Sequence, residues 1–397
     1  MDQPQEKEIL WTKSFVFLLI ANLFTAVGFQ ILLPTLPMFV SLHEGNSSDV
    51  GLVIGVLTIA AVLIRPFSGA ASDTLGRKII LAIGVFICFL AMVFYFWAST
   101  IPSILFVRIV HGIGWGIATS AFGTLASDMV PASRRGEGIG YFGFASLIAG
   151  ALGPFIGIGL MNQFDFTAVL GFSAVSTFLS LTALLLIKLP KFEGFHSQSS
   201  SIMARLVESS SLFPSVLMGL LGLVYGGIVS FITLFGTEVG IQNVGWFFLI
   251  NAISSFLIRP LSGRLFDKKG HIYVLLPGAL LSLTGVLLLS YATSTLHLSF
   301  AAFFFGFGMG AIQPSLQAWV INRAAPSRRG AANATFFSAF DLGISGGAIM
   351  LGGVARAFNY AIMYRCSSLI LVIFMITYLV YIKFRRRGGD LSEDCSL

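Results

Sequence analysis

The sequence predicts an all-α membrane protein: twelve transmembrane helices in two pseudo-symmetric six-helix bundles. Three observations predict it. Of 397 residues, 56% are hydrophobic and only 10% are charged. A soluble globular chain carries about 25% charged residues, so water is the wrong solvent for most of this surface. The apolar residues also gather into twelve long runs separated by short polar links. Finally, the stretch Ile64 to Lys78, IRPFSGAASDTLGRK, returns as IRPLSGRLFDKKG at Ile258 to Gly270. Arg65, Pro66, Ser68, Gly69, Asp73 and Gly76 fall opposite Arg259, Pro260, Ser262, Gly263, Asp267 and Gly270, a constant 194 positions on. So long a repeat in so apolar a chain points to a duplicated bundle.

The runs lie at 14–40, 49–71, 79–99, 101–127, 138–161, 167–187, 212–236, 243–263, 272–293, 297–321, 331–353 and 360–384. A helix needs about 20 apolar residues to cross a bilayer. Backbone amides in lipid must bond internally, so runs of this length are helices; barrel strands would be shorter and would alternate in polarity. The polar start, Met1 to Lys7, leads into the first run without a cleavage-like site, so that run is expected to stay as a helix. Residues 188–210 are polar and Ser-rich, with Pro190 to stop a helix. They read as a linker, giving an N-terminal bundle over 1–187 and a C-terminal bundle with a short charged tail over 211–397. The tail from Arg385 is expected to be disordered.

The repeat persists beyond the opening stretch. Gly112, Gly114 and Gly116 match Gly306, Gly308 and Gly310; Ser133 to Gly136 matches Ser327 to Gly330. The halves are therefore expected to be related by an axis along the membrane normal, with a site between them near mid-membrane.

The net charge of +7 does not mark a nucleic-acid surface, because the basic residues sit in links between runs. Lys7, Lys13, Arg77, Lys78, Arg134, Arg135, Lys188, Lys191, Arg205, Lys268, Lys269, Arg328, Arg329 and Arg385 to Arg387 all fall on one side. Only Arg356 and Arg365 lie near the other. Both termini and the linker are expected to be cytoplasmic, in a multi-pass protein of the cell membrane. Cys88, Cys366 and Cys395 are too scattered for a disulfide framework or a metal set.

These residues resemble the major facilitator superfamily, and within it the twelve-helix drug:proton antiporters. Gly69 to Lys78, GAASDTLGRK, is similar to the superfamily's signature between helices two and three, departing at Thr74, where a basic residue is usual. Ile104 to Gly114, with Arg108 and Gly112, resembles the helix-four motif, with His111 where Gln is common. Ala149 to Gly159, with Gly153, Pro154 and Gly157, resembles the helix-five antiporter motif, imperfectly at its Gly ends. The resemblance implies that Gly69, Asp73, Gly76, Arg77 and Lys78 form a conformational latch, a charge-relay contact that holds the outward-facing state and breaks on the way inward. It also implies that a bend at Gly153 and Pro154 seals antiporters against leak.

Residue chemistry adds candidates of its own. Arg108 sits about 8 Å inside the fourth helix at a rise of about 1.5 Å per residue, and a charge there normally faces a cavity or a partner. Arg108, His111 and Trp115 recur on one helical face. The repeat puts Ala302 opposite Arg108, so this charge exists in one half only. Asp341 lies about 16 Å into the eleventh helix, on a stripe with Ser338 and Ser345. Its alternative is a structural partner to an Arg or a helix end. Asp341, Arg108 and His111 are the candidates for proton coupling. Asp128 and Glu137 read as solvated ion-pair members. Asn22, Gln30, Trp115, Tyr225, Asn251, Gln313 and Gln317 are candidates for the substrate cavity, though each polar one could equally bind helix to helix. Some of the 39 Phe would suit an apolar cavity for amphipathic ligands; most face lipid.

The function expected is secondary active transport, as proton-coupled export of small amphipathic molecules by alternating access. The bilayer, protons and a small-molecule substrate are the expected partners, with the proton gradient as energy source and no cofactor, metal or nucleic acid. A monomer is expected. The alternative within transport is a sugar, metabolite or metallophore exporter. Outside it stands a non-transporting membrane receptor, which a chain without a sizeable extramembrane domain does not favour. An enzyme finds no support: the sequence has no HExxH, nucleophile elbow or paired-carboxylate metal site.

Overall fold

A computed structural model describes residues 10–42, 45–131, 135–188, 211–241, 243–324 and 329–387. Among them are twelve helices long and apolar enough to cross a membrane, and no strand. They are α1 (Lys13–Leu42), α2 (Ser47–Leu75), α3 (Arg77–Tyr95), α4 (Ile101–Met129), α5 (Arg135–Gln163) and α6 (Phe166–Leu185), then α7 (Leu212–Glu238), α8 (Gly245–Lys269), α9 (Ile272–Ser290), α10 (Thr295–Arg323), α11 (Arg329–Ala357) and α12 (Tyr360–Arg387). The expected linker, apart from Lys188, and the last ten residues of the tail lie outside the described residues.

Local chemistry sets several starts. Asn46 caps α2 with a capping box to Asp49, and Thr100 does the same for α4 through Ser103. The first run forms one span, Lys13–Leu42, with a local interruption at Ile31 between the segments Lys13–Gln30 and Leu32–Leu42. Pro34 has no amide hydrogen to give the Gln30 carbonyl, and Pro37 removes the next such donor. The Thr35 hydroxyl takes over the Ile31 carbonyl at 2.7 Å.

The duplication is written into the packing. In the first half α4 packs on α2 and α3, α1 on α5 and α6, and α3 on α6. In the second half α10 packs on α8 and α9, α7 on α11 and α12, and α9 on α12. These are the same pairs, six helices on. The match reaches single glycines, where small residues let backbones approach. A methyl on Gly112 would strike the Leu57 carbonyl, and one on Gly306 the Asn251 carbonyl. Gly116 lies on Ala61 as Gly310 lies on Ser255, and Gly84 on Ala118 as Gly278 on Ile312. Every one of these contacts repeats at the 194-residue offset.

Between the halves, α2 packs along α11, α5 along α8, and the second segment of α1 along α7. Toward the face away from the basic loops, Gly352 abuts the Ser47 carbonyl and Gly51 abuts Ala348. There the Thr233 hydroxyl donates to the Pro34 carbonyl at 3.1 Å, and Phe155 meets Trp246 edge-on at 5.5 Å. Arg365, one of two cations near that face, lies over the Tyr291 ring at 4.5 Å.

Candidate functional site

Asp341 is paired across the seam between the halves. Arg65 Nη2 of α2 lies 2.5 Å from Asp341 Oδ2 of α11, with about a fifth of each side chain exposed. Asp341 is twelve residues from the start of α11, about 18 Å along the axis. Carboxylate and guanidinium thus meet well inside the membrane, where either alone is expensive. Sequence reasoning left an Arg partner open but did not name Arg65. Its signal was present in the opening repeat, an Arg inside an apolar run. The expected serine stripe is only partly a site: the Ser345 hydroxyl donates back to the Asp341 backbone carbonyl at 3.2 Å.

Arg108 and His111 form a second cluster, inside the first half. α4 starts at Ile101, so Arg108 is about 10 Å in from the face opposite the basic loops. Both side chains are fully buried. Tyr95, at the end of α3, brings its hydroxyl into electrostatic reach of the guanidinium and its ring to 6.2 Å from the His111 ring. Phe29 of α1 meets His111 edge-on at 5.6 Å and stacks flat on Trp115 at 3.8 Å. Among the described residues, no hydrogen bond of ordinary geometry is made by Arg108 Nε, Nη1 or Nη2, by either His111 ring nitrogen or by the Tyr95 hydroxyl, and the closest polar approach to the guanidinium is that of Tyr95. Tyr95 was not among the residues expected. Its position at the end of an apolar run gave no sign that it faces inward.

The signature between α2 and α3 engages its own half. Arg77 forms an ion pair with Asp128 at the end of α4. Lys78 Nζ donates to the Ile187 carbonyl after α6 at 2.5 Å. Gly76 turns the chain with φ at 94°, a conformation that suits glycine. These partners of Arg77 and Lys78 thus both lie in the first half. The side chains of Asp73 and Glu137 lie outside the described residues, and Gly69 contributes only its place in α2.

Helix α5 runs unbroken through Pro154, and its glycines have a specific partner. A methyl on Gly153 would come within 2.7 Å of Gln30 Cβ, and one on Gly157 within 2.6 Å of Ile31 Cγ1. The helix-five motif thus packs on the break in α1. Gln30, proposed for the cavity, is part of that joint.

Other cavity candidates act within a half. Asn22 Nδ2 donates to Ser146 Oγ at 3.2 Å, joining α1 to α5. Gln317 Nε2 donates to Asn333 Oδ1 at 2.9 Å, joining α10 to α11. Tyr225 of α7 stacks on Phe340 of α11 at 5.8 Å. Asn251 packs its backbone on Gly306 and leaves Oδ1 buried without a hydrogen bond. Gln313 is half-buried on α10. Asn22 and Gln317 each make an interhelical hydrogen bond, and among the described residues no contact gathers the whole set around one point.

Comparison with known proteins decides the family. The model of the Major Facilitator Superfamily matches residues 18–348, and again 239–391. The chain belongs to the Major Facilitator Superfamily. It is a multi-pass membrane transporter and not an enzyme. It is 28% identical to the multi-drug resistance efflux pump PmrA of Streptococcus pneumoniae, over 91% of this chain and 94% of the pump. It is 23% identical to the multidrug resistance protein MdtG of Citrobacter koseri, over 98% of this chain and 99% of that protein. Among solved structures it superposes on a bacterial homologue of the human lysosomal transporter Spinster, inward-facing and unoccupied, with a TM-score of 0.75. That likeness covers 98% of this chain and 100% of the other at 14% identity, and speaks for the fold.

Proposed function

We propose that this superfamily member is a proton-coupled exporter of small amphipathic molecules, working by alternating access. The observation that carries the reading is the Arg65–Asp341 pair, inside the membrane and across the two halves. Rocking the halves moves α2 against α11, so the pair is made in one state and parted in the other. Parted from Arg65, Asp341 takes up a proton. Re-forming the pair drives the proton off. One carboxyl whose proton affinity follows the conformation is sufficient to couple a gradient to movement.

Three further roles follow on this reading. Arg108 and His111, packed against Tyr95 and Phe29, contribute to the proton path. Gly69, Asp73, Gly76, Arg77 and Lys78 set the barrier between states, through the Arg77–Asp128 pair in the conformation described. The basic loops lie in the cytoplasm, so the tightly packed opposite ends make this state closed outward. Export in a cell membrane is supported by the names of PmrA and MdtG, both drug-resistance proteins. The test is accumulation of a broad panel of fluorescent amphipaths in everted vesicles with an imposed pH gradient. Gradient-dependent uptake of at least one compound is expected; binding without flux would make the protein a receptor.

A further inference from the structure

The spans hold more cationic than anionic charge. Away from the helix ends, the described spans contain Arg65, Arg108 and Arg259 but only one carboxylate, Asp341. Arg65 neutralises it. For Arg259, the repeat counterpart of Arg65, the position matching Asp341 is Leu147 of α5. Its Nε is buried without a hydrogen bond. Arg108 is the sharper case, fully buried with all three nitrogens unbonded.

No described acid of the first half is available to Arg108. Asp49 accepts from the Asn46 amide, Asp128 pairs with Arg77, and Asp165 caps α6 through Ala168. A desolvated guanidinium without a counter-ion is strongly unfavourable, and burial is sustained when an anion and hydrogen-bond acceptors complete it. Around Arg108 the unbonded groups are complementary to an anion: five guanidinium N–H donors, the Tyr95 hydroxyl and a His111 ring nitrogen. Trp115, one turn beyond His111 and two beyond Arg108 (about 10.5 Å of helix rise), stacks face to face on Phe29 of α1 at 3.8 Å. Two flat rings in contact make a site that a third aromatic or apolar body can enter.

We infer that the transported molecules are amphipathic anions, with a carboxylate, phosphate or phosphonate held by Arg108 and Tyr95 and an apolar body seated between Phe29 and Trp115. This rests on the transport reading and narrows it: the substrate class is acidic, not cationic. The anion arrives with the substrate when the Phe29–Trp115 stack parts.

The test uses the full chain in lipid nanodiscs and three matched probes: 1-naphthoate, its neutral amide and 1-naphthylmethylamine. Binding is read by quenching of protein fluorescence and by titration calorimetry. Wild type is expected to bind the carboxylate about tenfold tighter than the amide, the scale of one charge-assisted bidentate pair. Arg108→Gln should erase that preference and Arg108→Lys should keep part of it. Tyr95→Phe, which retains the ring, should narrow it by about threefold, so the inference stays testable if Arg108→Gln does not fold. Equal affinities, a preference for the amine, binding of none of the three, or an undiminished preference in Arg108→Gln and Tyr95→Phe would overturn it. Thermal stabilisation by chloride without carboxylate preference would assign Arg108 a small resident anion and also overturn it. Flux of the amide with no carboxylate preference would reject the acidic class while leaving transport intact. Carboxylate preference without any flux would do the reverse.

Discussion

Gly76 and Gly270 both turn the chain at positive φ in the two halves, with φ at 94° and 82° and ψ at 135° and 175°. They stand 194 positions apart in sequence and end α2 and α8. A side chain is strained in this essentially glycine-only region, at a cost of about 1–3 kcal/mol. Gly76→Ala and Gly270→Ala should each lower stability by about that amount, read as denaturant midpoints in detergent. Unequal costs, with one near zero, would show that the halves are not equivalent at this turn.

The joint between α1 and α5 makes a second prediction. A methyl on Gly153 falls 2.7 Å from Gln30 Cβ and 3.1 Å from the Ile31 amide nitrogen, while Gly159 has open space around its Cβ. Gly153→Leu should destabilise by about 1–3 kcal/mol through overpacking. Gly159→Ala should be neutral or stabilise by up to about 1 kcal/mol, the helix preference for Ala. Thermal unfolding of the two variants side by side checks the packing, and tolerance of Leu at Gly153 would refute it.

The Arg77–Asp128 pair is partly exposed, at 26% and 40% of the side chains. Its contribution to stability should be small, about 0.5–1 kcal/mol, and a double-mutant cycle of Arg77→Gln with Asp128→Asn should report that coupling. Transport should fall by more than stability if the pair sets the barrier between states. Equal losses in the two measurements would make it a simple surface ion pair.

Asp73→Asn should slow turnover with little loss of substrate binding, because a latch contact belongs to one state only. Initial rates in vesicles and equilibrium binding in detergent separate the two. Lost binding with normal cycling would move Asp73 out of the latch.

Much of this architecture is legible in one dimension because lipid imposes it. Twelve runs become twelve helices since the backbone has no other way to bond, and the 194-residue register reappears contact for contact at Gly112 and Gly306. The break at Ile31 escaped a reading by apolar length, because Pro34 and Pro37 are themselves apolar and do not interrupt the run. Arg65 escaped for a different reason. Its partner is set by how α2 lies on α11, and nothing local to residue 65 or residue 341 encodes that seam. Asn22 and Gln317 looked like cavity residues because polarity within a span is visible while its direction is not. Direction makes them bonds within a half.

The central claim is that Asp341 takes up and releases the coupling proton as its contact with Arg65 is broken and made. Asn keeps the shape and hydrogen-bonding capacity of Asp but does not titrate. The decisive measurement compares wild type with Asp341→Asn in everted vesicles, recording pH-gradient-driven accumulation and downhill exchange of the same substrate. The account predicts that accumulation against the gradient is abolished while downhill exchange persists. An Asp341→Asn protein that still concentrates its substrate would assign the Arg65–Asp341 pair to structure and move the proton to another group.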